Sequence, residues 1–366
     1  MKKILVVGYF SDNPNVYTYA RTFYNKLTEL KFITKKFNYC LSIVPVNKLN
    51  NLLINFFLIL KVIKFKPNII FFIKAENIYS KTLKFIKKYS EHTCLKAGKF
   101  TGDICSSQDQ PTENITLQGP ILINFYPDNP FVFWNNNSNK NILLSLPIYN
   151  FFLIWAESLI PVLNAAGAQK VYYFPFAYDN IIFSKELLLK AQKDKTYLSD
   201  VCFIGTWDPE REYFLSYIHE QLPSITLAIW GNHWKKNISN NSNLIGCLRG
   251  DAIYHDKIIK AFRNSKIILN FIRKQNIDAH NMRTLEVPAC GIFLLTQRTK
   301  DQAEKLFKEG ESIECFSTPQ ELKEKIVFYL AHDNKRDIIA NKSFTQAQKF
   351  NFNIIIKKFL EENKLL

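Results

Sequence analysis

Short unbroken apolar runs alternate along this chain with longer stretches whose apolar positions recur every three or four residues. ILVVGY near the start precedes a helical pattern over 16–31, then comes NIIFFI at 68–73 and a Lys-rich helical pattern reaching 90. Apolar strands separated by helices predict a parallel sheet with crossover helices. Residues 92–119 lose the periodicity and hold three of the eleven glycines, which predicts an inserted loop, either a plain surface excursion or a lid. Strand patterns resume at ILINFY, FFLIW and KVYYF and complete a first domain over 1–180.

Residues 181–199 are charged and carry no strand pattern, so they are expected to connect two domains. A second alternating series then runs DVCFIGT, PEREYFLSYIHEQL, ITLAIWG, HDKIIKAFRN, KIILNF, MRTLEVPAC, IFLLT, KDQAEKLFKEG, IECF and TPQELKEKIVFYLAH. It predicts a second doubly wound domain over 200–346. The final FNFNIIIKKFLEEN, within 347–366, reads as a helix that crosses back toward the first domain.

Length supports this division, since 366 residues with 47% hydrophobic content are enough for two cores. The 48 Lys and Arg against 32 Asp and Glu give a net charge of +16. That charge suits phosphate-bearing substrates, nucleic acid or anionic membrane, although Lys and Asn enrichment from an AT-rich coding background yields the same balance. The seven cysteines never form a C-x-x-C, so reduced thiols and a cytoplasmic setting fit better than disulfides or zinc. MKKILVVGYF lacks a signal-peptide cleavage site and reads as a first strand. LLINFFLIL at 52–60 is too short to span a bilayer, yet a basic amphipathic face over 52–66 suits peripheral contact with the inner, anionic membrane face.

In open α/β sheets ligands bind beyond the C-terminal strand ends, so the polar residues there are the candidates, and a cleft between two such domains is the natural site. Gly205 and Thr206 follow a strand and precede a helix, with Arg211 inside it; Gly205 is either a tight-turn residue or a backbone approach to phosphate. Gly231 and Asn232 end another strand between two tryptophans. The densest cluster holds Arg273, Asp278, His280, Asn281, Arg283 and Glu286. Thr284 is expected to cap the helix there, with Glu286 near its N-terminus, where the dipole favours a carboxylate by about 0.3 to 1 kcal/mol. A carboxylate can also accept two hydroxyls at once, as from a ribose. Asp128, between two prolines, is the first domain's candidate or a simple turn former. Neither G-x-G-x-x-G nor G-x-x-x-x-G-K-[ST] occurs, so dinucleotide oxidoreductase and P-loop chemistry have no support.

These residues carry a resemblance. DVCFIGTWDPERE, IWGNHW, KIILNFIR, HNMRTLEVPACGIFLLT and LFKEG, with INFYPDNPF and GAQKVYYFPFAYD, resemble the CgeB-type, spore-maturation-protein-like glycosyltransferases with a family 1/4-like C-terminal domain. The resemblance implies an α/β GT-B fold: two Rossmann-like domains with an interdomain cleft, a nucleotide-sugar held by the second, and no obligatory cofactor or metal. It implies a retaining transfer from a UDP-, GDP- or dTDP-sugar to a glycan, lipid-linked or other cell-envelope acceptor. Glu286 matches the ribose-holding carboxylate, Gly291 the glycine that ends its helix, and Asp278 stands where many such enzymes carry Glu. Asp128, Asp278 and Glu286 are thus the catalytic candidates, and Arg273 and Arg283 would offset diphosphate charge. Two rival expectations are a non-catalytic GT-B-fold glycan or nucleotide binder and, on charge alone, a nucleic-acid binder.

Overall fold

The computed structural model describes residues 1–13, 16, 18–97, 119–132, 138–191, 194–276 and 278–366. They form two compact units. The first comprises Met1–Asp12, Thr18–Ile154 and Leu159–Tyr173; the second comprises Asn13–Tyr17, Trp155–Ser158 and Phe174–Leu366.

The first unit runs β1 (Lys3–Gly8), α1 (Tyr19–Glu29), β2 (Ile33–Asn38), α2 (Asn47–Phe65), β3 (Ile69–Ile73), α3 (Ser80–Ala97), β4 (Ile121–Tyr126), α4 (Lys140–Ser145), β5 (Phe151–Ile154), α5 (Ile160–Ala165) and β6 (Val171–Tyr173). Its strands lie in the order β2-β1-β3-β4-β5-β6, all parallel. Helices on both faces bury the central strands completely, which is why β3 reads IIFFI with every residue buried. The edge strand β2 reads ITKKFN and exposes Ile33, Lys35 and Lys36, so no apolar run announced it. At Gly8 a Cβ would sit 2.4 Å from that of Ala20, so only glycine lets α1 lie this close to β1. The loop expected at 92–119 is described only at its ends. Residues 92–97 continue α3, and 98–118 lie outside the described residues.

The second unit runs α6 (Lys185–Lys190), β7 (Ser199–Ile204), α7 (Pro209–Gln221), β8 (Leu227–Trp230), α8 (Trp234–Asn237), β9 (Leu248–Gly250), α9 (Asp256–Arg263), β10 (Ser265–Asn270), α10 (Arg283–Ala289), β11 (Leu294–Gln297), β12 (Glu314–Phe316), α11 (Pro319–Ala331), α12 (Asp333–Ala347) and α13 (Phe352–Glu362). Its sheet is also parallel, ordered β12-β11-β10-β7-β8-β9. The 181–199 segment contains α6 and groups with this unit, as does α13, whose Phe352 and Phe359 meet Phe174 at 6.1 and 6.3 Å between ring centres.

Chain order reverses between β1 and β3 in the first unit and between β7 and β10 in the second. Loops leave opposite faces of the sheet at such a point and open a crevice beyond the strand ends.

Candidate functional site

At the second unit's reversal point, β7 ends in Ile204 and leads through Gly205 and Thr206 into α7. Asp208 caps that helix by accepting from Glu210 N–H at 3.1 Å, and Pro209 supplies its first residue. This start turns Arg211 inward. The residue is only 9% exposed, and its guanidinium lies over the Phe203 ring and donates to the carbonyls of Thr206 at 2.7 Å and Phe271 at 3.4 Å. One side chain thus ties the end of β7 to the end of β10. Burial, followed by the charge of Arg273, pushes Arg211 down to about 10, so two cations share this corner at mutual electrostatic expense.

Gly205 and Gly231 meet across the ends of β7 and β8. Gly205 N–H donates to Trp230 O at 2.9 Å, and Trp234 Nε1 donates to Gly205 O at 2.9 Å. A Cβ on Gly231 would fall 1.9 Å from Gly205 O, so this backbone approach requires glycine there. Asn232 is exposed; its Oδ1 accepts from Ala252 N–H at 3.1 Å and its carbonyl from Trp207 N–H at 3.0 Å.

After β10, a buried polar network sets the entry to α10. Asn281 Nδ2 donates to Asn270 Oδ1 at 2.8 Å and to Phe271 O at 3.1 Å, the same carbonyl that Arg211 reaches. Asn270 Nδ2 donates to Thr296 Oγ1 at 3.0 Å, while Thr284 and Thr296 hydroxyls both donate to Gln302 Oε1, at 2.7 and 3.0 Å. Each of these buried groups finds a partner, as a low-dielectric interior demands. The network also corrects the expected cap. Helix α10 begins after Met282, Thr284 lies inside it, and Asn281 Oδ1 accepts from Thr284 N–H at 3.4 Å.

Glu286 sits on this helix, 3% exposed, and accepts a hydrogen bond from Arg283 one turn earlier. Burial pushes its carboxyl up from the ordinary range, and Arg283 opposes that rise. Arg283 Nε is buried and has no acceptor among the described residues. Gly291 ends the helix in the left-handed region at φ 74°.

Two other candidates have different surroundings. His280 is fully buried: Nδ1 bonds Asp301, Nε2 accepts from Phe176 N–H at 3.0 Å, and its carbonyl accepts from Trp155 Nε1 at 3.1 Å. With both ring nitrogens taken, His280 ties Trp155 and Phe176 to the start of α10 within the second unit. Asp278 is exposed in a left-handed turn at φ 58°.

The first unit has its own polar cluster, of which the sequence showed only one member. Asp128, after β4, pairs with Lys74 Nζ at 2.6 Å, and Lys74 lies 3.8 Å from Glu76, to which Tyr126 donates at 3.1 Å. Burial works against the Lys74 ammonium, but Asp128 and Glu76 outweigh it and raise it above its ordinary value. Lys74 and Ala75 are consecutive non-glycine residues at φ 63° and 58°, an uncommon backbone state. KAEN after a buried apolar strand was the available signal for Lys74 and Glu76.

Residues 211–353 match a family model described as Glycosyl transferase-like. No curated protein sequence matches the chain. Among solved structures, the sucrose-phosphate synthase of Thermosynechococcus elongatus is similar at 11% identity with a TM-score of 0.70, covering 100% of this chain and 99% of that one. Anabaena Alr3699/HepE in complex with UDP-glucose is similar at 13% identity with a TM-score of 0.63, covering 100% of both chains. A glycosyltransferase from Rickettsia africae follows at 13% identity and a TM-score of 0.55, over 99% of this chain and 98% of that one. The chain has the GT-B fold and carries a glycosyl transferase-like domain over residues 211–353.

Proposed function

We propose that the protein transfers a sugar from a nucleotide-sugar, UDP-linked by preference, to a glycan or other cell-envelope acceptor. The observation that carries this reading is the meeting of Arg211 and Asn281 on the Phe271 carbonyl, at the sheet's reversal point, with the paired Arg283 and Glu286 on the adjoining helix. Two guanidiniums held against their mutual repulsion favour an anion, and the diphosphate of a nucleotide-sugar is one. As the bond between the sugar's anomeric carbon and the diphosphate breaks, negative charge grows on the leaving group. In this reading Arg211, Arg273 and the Nε of Arg283, which has no acceptor among the described residues, offset it.

In this reading Glu286 gives one oxygen to Arg283 and the other to the donor ribose, while the exposed Asp278 faces the donor sugar. Asp128, with Lys74 and Glu76, handles the acceptor. The complex of Anabaena HepE with UDP-glucose supports the choice of uridine. The CgeB-type resemblance supports a cell-envelope acceptor, retention of configuration and catalysis without an obligatory metal.

The test is incubation of the purified protein with UDP-, GDP- and dTDP-sugars and extracted envelope glycans, identifying the sugar-bearing product by mass and its anomer by NMR. Sugar transfer that is lost in Glu286→Ala and survives chelation supports the reading. A folded protein that releases no nucleotide and modifies no acceptor overturns it.

A further inference from the structure

Helix α2 is apolar on two faces. Its inner face buries Ile54, Leu58, Val62 and Phe65. Its outer face exposes Leu49, Leu52, Phe56, Phe57 and Leu60, with Leu52 at 53% and Phe56 at 54% exposure. These positions follow the three-and-four spacing of one helical stripe, and Phe85 of the neighbouring α3, 47% exposed, adds to the apolar surface. A stripe of this size left in water is unfavourable, and such stripes mark surfaces that meet a partner.

The surrounding charge identifies the partner's chemistry. Lys48, Lys61 and Lys64 lie on α2, Lys66 follows it, and Lys81, Lys84 and Lys88 lie on α3. From Asn47 to Tyr89 the sole acid is Glu76, which lies beside Lys74. A second copy laid face to face on this stripe would set lysines against lysines, a like-charge contact that opposes pairing. A surface that is apolar inside and negatively charged outside satisfies both features, and the anionic lipid bilayer is such a surface. No helix among the described residues is long and apolar enough to cross a membrane, so contact would be made along the interface.

We propose that the outer face of α2, with Phe85 of α3, docks this protein on an anionic bilayer, the apolar side chains entering the interface and the lysines meeting lipid phosphates. The proposal does not rest on the sugar-transfer reading.

The experiment is co-sedimentation of the full chain with phosphatidylcholine vesicles, with and without ~30% phosphatidylglycerol, at several salt concentrations. The wild type is expected to pellet with the anionic vesicles, and Leu52→Gln with Phe56→Gln to weaken this about tenfold or more at unchanged melting temperature. Because both positions face solvent, the variant should fold; Lys64→Glu with Lys84→Glu supplies a second test and is expected to remove the preference for anionic lipid. Absence of vesicle binding, or equal binding by the wild type and both variants, overturns the proposal. So does a concentration-dependent dimer in sedimentation velocity that the Leu52 and Phe56 substitutions abolish, since that assigns the stripe to a second copy. UDP binding measured on the same samples separates failure here from failure of the donor site.

Discussion

Arg283 and Glu286 form an ion pair one turn apart on a helix whose residues 284–289 are all buried, and the carboxylate is the more enclosed partner. Removing the cation leaves a buried charge without compensation, the costly way to break such a pair. Arg283→Met is expected to lower stability by about 2–4 kcal/mol in urea denaturation at pH 7. The pH dependence has a definite sign. Burial raises the Glu286 carboxyl above its ordinary 4.5, with Arg283 opposing, so the folded state holds this proton more tightly than the unfolded chain. Its contribution to stability is therefore present below 4.5 and lost as pH rises through the folded value. Arg283→Met raises that value further, and its deficit should widen as pH climbs; adding Glu286→Gln should flatten the widening.

Gly231 lies where a methyl group would overlap the Gly205 carbonyl. Gly231→Ala forces the ends of β7 and β8 apart and should cost about 3 kcal/mol or more. Thermal melting followed by circular dichroism measures it, and an unchanged midpoint would show that the two strand ends can separate freely.

Lys74 has a different expected role. Its pair with Asp128 is partly exposed, so Lys74→Met should change stability by only about 1 kcal/mol. If the first unit's cluster holds the acceptor, kcat/KM for the acceptor falls by at least about tenfold while donor affinity stays constant. Steady-state kinetics with each substrate varied in turn, beside donor titration, distinguishes this from a general loss of folding.

Arg298 gathers Glu309 and Glu321 into one network, with bonds of 2.7 and 2.5 Å. The Arg298 hydrogen bond, against the burial penalty, holds Glu321 down at about 2. A depressed carboxyl contributes stability above its unfolded 4.5, and loses it as pH falls toward 2. After screening at this partly exposed site, the contribution is about 1 kcal/mol. Glu321→Gln should therefore lower stability at pH 7 by that amount and shrink the acid-induced loss between pH 4.5 and 2, followed by urea midpoints.

Much of this arrangement was legible in the sequence because central parallel strands are buried on both faces and must read as apolar runs. IIFFI, CFIG and IILN announced themselves in that way. The edge strand β2 did not, since its lysines face solvent, and the outer stripe of α2 blurred the usual helix signature by being apolar on both sides. At the site, the cluster from Arg273 to Glu286 was visible as polar density after a strand. Which members turn inward was not, because that depends on distant partners. His280 is enclosed by Asp301 and Phe176, and Asn281 accepts from an N–H in the first turn of the helix, where Thr284 was expected to cap. Lys74 and Glu76 were signalled only by KAEN following an apolar strand, because the left-handed backbone that turns them has no compositional signature.

The central claim is that the strand ends of the second unit hold a nucleotide diphosphate. It is tested most directly by calorimetric titration of UDP into the wild type, Arg273→Met and Glu286→Gln, each confirmed folded by its melting curve. Arg273 is partly exposed, and Glu286→Gln keeps the shape of the side chain. The account predicts saturable one-to-one binding by the wild type, weakened about 10- to 100-fold in each variant, as expected for losing a charge-assisted contact worth roughly 1.5–3 kcal/mol. Absence of UDP binding by the folded wild type, or equal affinity in all three proteins, contradicts it.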